Sequence, residues 1–121
     1  DWGLSKIFER IDHESQEEGA HADSLIRRVL FLEGTPNMDR ADIDVGTDVV
    51  TCLKADLALE YHVRDKLAQG VKLCEEKGDY VTRDMLRQQM SDTEEDHTYW
   101  LEKQLRLIEL IGLQNYIQSQ I

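Results

Sequence analysis

Proline occurs once and cysteine twice in this chain of 121 residues. No apolar run approaches the roughly 20 residues that a helix needs to cross a bilayer. Each scarcity excludes something. A single proline leaves long helices uninterrupted. Two cysteines cannot make a disulfide scaffold. Cys52 and Cys74 also fall in one predicted helix, and at 1.5 Å per residue they stand about 33 Å apart, too far to bridge within the chain. Unpaired cysteines fit a reducing cytoplasm. Cationic residues are few: 14 Lys and Arg against 25 Asp and Glu, a formal net charge of −11. Such an acidic excess argues against nucleic acid and anionic membranes as partners, since both demand cationic surface, and it suits a protein that attracts cations. No signal peptide is visible. The length suits one domain spanning residues 1–121, and 40% apolar residues are enough for a core.

What is present is helical periodicity. The spacing predicts a first helix from about Trp2 to Glu33, with the stripe Leu4, Ile7, Phe8, Ile11, Ala22, Leu25, Val29 and Leu32. Gly34, as a left-handed cap, and Pro36 are expected to stop it. Residues 35–46 read as a loop, with Thr47 the expected N-cap of a second helix reaching Lys77. Its stripe is Val50, Leu53, Leu57, Leu67, Val71 and Cys74. Gly78 should end it, and Asp79 should cap a third helix carrying Leu86, Met90, Leu101, Leu105, Ile108 and Ile111 and stopping at Gly112. LQNYIQSQI reads as a last short helix, and no alternation of period two marks a strand. Long amphipathic helices joined by short loops predict an all-α antiparallel bundle.

Steps of seven along each stripe expose an anomaly. The rows are Leu4, Ile11, Glu18, Leu25, Leu32; then Leu53, Glu60, Leu67, Cys74; then Glu94, Leu101, Ile108. Each row holds one glutamate among apolar residues. An ionised carboxylate in a core is costly unless it is paired or binds metal. Glu18 and Glu94 each have a histidine three residues on, His21 and His97. Positions i and i+3 share a helix face, so carboxylate and imidazole can reach one ion. A single Glu-x-x-His arises by chance for about one histidine in ten at this glutamate content, but two of them on core rows, with a third core glutamate, point to metal. A buried hydrogen-bonded pair is the bland alternative, and Glu60 could instead pair with Arg64 one turn on. Oxygen ligands with one imidazole per ion suit iron, manganese or zinc.

The segments DWGL, HES, HADSLIRRVLFLEGTPN, DLALE, DYVTRDML, EEDHTYWLE and GLQNYIQSQI, in this order, resemble the bacterioferritins, which are ferritin-like proteins. The resemblance covers nearly the whole chain. It implies a four-helix subunit with a short fifth helix, assembled as a 24-subunit iron-storing shell, homo- or hetero-oligomeric. It also implies a ferroxidase that oxidises Fe(II) with O2 or H2O2. By that resemblance Glu18 and Glu94 bridge two irons, His21 and His97 are their terminal imidazoles, and Glu60 is a terminal carboxylate. His13 and Glu17 match an inner-surface pair that holds an extra iron in some members; an ordinary solvated face is the other reading.

The family's haem-ligating methionine falls at Gly19, which has no donor atom, while Met38, Met85 and Met90 lie elsewhere in the pattern. Two such chains are expected to lack the haem site. The family's first helix, which carries the sixth ligand, has no counterpart here. Asp1 and Trp2 match the turn that follows it, and the chain is read as a fragment rather than a shortened variant. A non-catalytic subunit of a mixed shell is the alternative function, and a ferritin-like peroxidase or manganese catalase is a third.

Overall fold

A computed structural model describes residues 2–121. The start of the matched turn, at Asp1, lies outside the described residues. The described chain is all-α and contains no strand: α1 spans Ser5–Phe31, α2 Val49–Lys77, α3 Tyr80–Asp92, α4 Tyr99–Ile111 and α5 Leu113–Gln120. Between α3 and α4 the helix continues as a π segment, Thr93–Thr98. No described helix is long and apolar enough to cross a membrane. The chain divides into two compact units, residues 2–42 with Ile111–Ile121, and Ile43–Leu110.

In the first unit, α1 begins later than its periodicity suggests, because Gly3 takes a left-handed φ of 69° and Leu4 precedes the first helical residue. Its end corrects the expected cap. The left-handed residue is Glu33, at φ 63°, and not Gly34. Glu33 N–H donates to the Leu30 carbonyl (3.0 Å) and Gly34 N–H to the Val29 carbonyl (2.8 Å), the paired bonds of a Schellman turn. Glycine at 34 is there for space: a Cβ would sit 3.0 Å from Val29 Cγ1 and 3.3 Å from its carbonyl oxygen. Of the expected apolar stripe, Leu4, just before α1, is buried, and the rest is half-buried or exposed. No α1 residue is buried, and Phe8 is 68% exposed. Its helical neighbour in the unit, α5, has 8 residues against the 27 of α1 and cannot cover the whole stripe. The α5 contribution is Tyr116, fully buried, with its hydroxyl pushed up to about 12 by burial. Lys6 Nζ donates to the Ser119 carbonyl at 3.1 Å, joining the start of α1 to the end of α5.

In the second unit, α2 starts one residue later than expected. Asp48, not Thr47, is the N-cap: its carboxylate accepts from Thr51 N–H at 2.8 Å, and Thr51 Oγ1 accepts from Asp48 N–H at 3.1 Å. That reciprocal box satisfies two donors at once, which a Thr47 cap would not. Gly78 closes α2 at φ 71°, as expected of glycine, and Asp79 caps α3 through Thr82 N–H at 3.1 Å. Leu53, Leu67 and Cys74 of α2 and Leu86 of α3 are buried, as is Leu101 of α4. Neither Cys52 nor Cys74 forms a disulfide.

Candidate metal centre

Glu60 takes its place from α2. Leu53 and Leu67, seven residues to either side, are buried, and the Glu60 side chain between them is only 15% exposed. His97 comes from the π segment and is 0% exposed. Its Nδ1 lies 3.7 Å from Glu60 Oε1. Two bonds of about 2.1 Å to one divalent ion set their donor atoms at most about 4.2 Å apart, so 3.7 Å is compatible with a shared ion. The other carboxylate oxygen, Glu60 Oε2, is buried and has no hydrogen-bond partner. An unmatched buried acceptor costs about 1–3 kcal/mol, more when charged, and a cation would satisfy it. The donor set, a carboxylate and an imidazole, fits a first-row transition metal. One turn before Glu60, burial first and the charge of Glu60 second hold the Asp56 carboxyl above its ordinary 3.8.

Glu94 departs from expectation. Its row predicts a core position, yet its side chain is 61% exposed and lies 3.7 Å from Arg64 Nη1. The π segment is the reason. A π turn holds one residue more than an α turn, so steps of seven counted back from Leu101 no longer return to the same face. Burial records the slip. Leu86, Gln89, Thr93 and His97 are buried at helical spacing, and then Thr98, the very next residue, starts a new row with Leu101 and Gln104. Arg64, expected as the rival partner of Glu60, faces Glu94 instead, and no ion pair joins it to Glu60 among the described residues.

The first unit carries the other motif on regular α-helix. Glu18 Oε2 and His21 Nδ1 are 4.0 Å apart, with side chains 43% and 18% exposed. His13 Nε2 and Glu17 Oε1 are closer, at 3.2 Å, and more open. Gly19 is exposed, and a Cβ built there would meet nothing within 4 Å. Sequence reasoning missed the buried polar residues of the last long helix, Gln89, Thr93, Thr98 and Gln104. The adjacent buried pair His97 and Thr98 marks the π segment, and it is invisible without burial.

Residues 1–111 match the ferritin family model, described as a ferritin-like domain. The chain is 63% identical over 121 residues to a bacterial ferritin of Neisseria meningitidis serogroup B, covering 100% of this chain and 79% of that protein. It is 60% identical over 121 residues to a bacterial ferritin of Pseudomonas aeruginosa, again covering 100% and 79%. A bacterioferritin of Brucella melitensis is 38% identical over 119 residues, covering 98% of this chain and 73% of the relative. Helical architecture and these likenesses agree: the chain belongs to the bacterioferritins of the ferritin-like family.

Proposed function

We propose that the chain stores iron and oxidises Fe(II) to Fe(III) at a di-iron centre within each subunit of a 24-subunit cytoplasmic shell. The relatives named bacterial ferritin and bacterioferritin support the storage role. The buried pair of Glu60 and His97, 3.7 Å apart with one carboxylate oxygen unmatched, is the observation that carries the metal reading. In this reading Glu18 and Glu94 bridge the irons, His21 and His97 are terminal ligands, and Glu60 is the remaining terminal carboxylate. Iron is the substrate, and each Fe(II) gives one electron to O2 or H2O2. The chain supplies binding, charge neutralisation and position; anionic oxygen ligands favour the more highly charged ferric product. The two units act here as one ferritin-like domain, since the family match runs through both. A further iron is assigned to His13 and Glu17. No haem is assigned to a pair of identical chains because Gly19 lacks a donor, and Gly19→Met, with open space for its Cβ, should introduce Soret absorbance after haem reconstitution.

Rapid-mixing absorbance under O2 tests the centre. Fast Fe(II) oxidation should be lost in Glu94→Ala and in His21→Ala, and its survival in both variants would overturn the ligand assignment. Native mass spectrometry tests the assembly. A mixed shell with metal confined to the other subunit would favour a structural role for this chain.

A further inference from the structure

We propose that Arg64 is a positioning residue that holds Glu94 toward solvent and competes with iron for its carboxylate. The inference rests on the reading of Glu94 as an iron ligand. Arg64 lies one turn beyond Glu60 on α2, where helix geometry alone would pair the two. They are not paired. Glu60 turns to His97 at 3.7 Å, and the Arg64 guanidinium lies 3.7 Å from Glu94. The guanidinium also stacks on an aromatic face: its carbon stands 5.0 Å from the centre of the Tyr61 ring, inside the roughly 6 Å reach of a cation–π contact. Tyr61 is itself anchored, its hydroxyl donating to Glu102 of α4 at 2.5 Å. Glu102, Tyr61, Arg64 and Glu94 thus form a chain of contacts across α2, the π segment and α4 that ends on the carboxylate.

The magnitudes make this a latch and not a block. The Arg64 and Glu94 side chains are 33% and 61% exposed, and 3.7 Å is longer than a hydrogen bond. A pair of that kind contributes at most about 1 kcal/mol, or about fivefold in an equilibrium. A divalent ion carries twice the charge of a guanidinium and bonds the carboxylate directly, so it displaces Arg64 at modest cost. The π segment leaves Glu94 free to make the exchange, because its backbone no longer commits Glu94 and His97 to one face.

Titration of the full chain with Co(II), followed by its visible absorbance, measures the competition without turnover. Arg64→Gln should bind Co(II) up to about fivefold more tightly, and the gain should vanish in a Glu94→Gln background, because a latch acts only through that carboxylate. An unchanged or weaker affinity in Arg64→Gln overturns the latch, as does a gain that persists with Glu94→Gln, which would mark simple charge repulsion. If circular dichroism shows Arg64→Gln unfolded, Arg64→Lys carries the test, with about a twofold gain expected from losing the planar stack while keeping the charge; no gain there overturns the latch. Co(II) binding indifferent to both His97→Ala and Glu94→Gln would overturn the iron-centre reading together with the latch, whereas binding that needs them but ignores Arg64 overturns the latch alone.

Discussion

The two Glu-x-x-His motifs have the same spacing and different backbones. In α1, Glu18 and His21 sit on regular helix and keep to one face, 4.0 Å apart and partly open. In the π segment, Glu94 is 61% exposed on Arg64 while His97 is fully buried against Glu60. An i, i+3 spacing brings side chains together only when three residues nearly complete a turn, and a π turn needs more. The second motif thereby hands its imidazole to a carboxylate of another helix and leaves its own glutamate outside. A motif read from sequence names candidate ligands; the helix type decides which of them meet in the resting chain.

The contrast is sharpest in stability. In the metal-free protein His97→Ala should cost about 2–4 kcal/mol, because it empties a fully buried site and strands Glu60. His21→Ala, partly exposed, should cost under about 1 kcal/mol. Urea midpoints compare them, and equal losses would break the distinction between the two motifs. Smaller effects of opposite origin are expected from two stabilising changes. Thr98 Oγ1 is buried without a hydrogen-bond partner, so Thr98→Val, similar in shape, should stabilise the π segment by about 1 kcal/mol and raise Tm by a few degrees. Gly19→Ala should give a similar gain in α1 through helix propensity alone, since its Cβ has open space. A fall in Tm for Thr98→Val would mean that the hydroxyl is matched after all.

The smallest expected effect concerns pH. Burial and Glu60 hold the Asp56 carboxyl above 3.8 in the fold, so the folded chain disfavours its charged form. Stability is then lost as pH rises through 3.8 toward the folded value, and it stays lower above that. Asp56→Asn should raise Tm slightly at neutral pH in the presence of a chelator, with the gain gone near pH 3, where the acid is protonated in both states. A constant gain across that range would mean that it does not come from the charge of Asp56.

Much of the fold was legible because it is local. Apolar spacing located the long helices, Gly78 and Asp79 marked a boundary through backbone and capping chemistry, and the glutamates of the apolar rows stood out by the cost of burying charge. The misses share a cause. Glu33 holds the left-handed position because Gly34 is needed one residue later, against Val29. Asp48 wins over Thr47 because Thr51 completes a box with it. Each choice turns on which neighbour lies within reach, and that is a three-dimensional fact.

By itself the sequence determined the helical class and the five candidate ligands Glu18, His21, Glu60, Glu94 and His97, since periodicity and motif spacing are properties of the chain, and its segments carried the resemblance to the family. Only the tertiary structure decided that Glu60 meets His97, that Arg64 takes Glu94, and that one extra residue in a helical turn separates a motif's two halves. Those outcomes depend on packing between helices and on a local change of helical period, and neither is written in residue spacing.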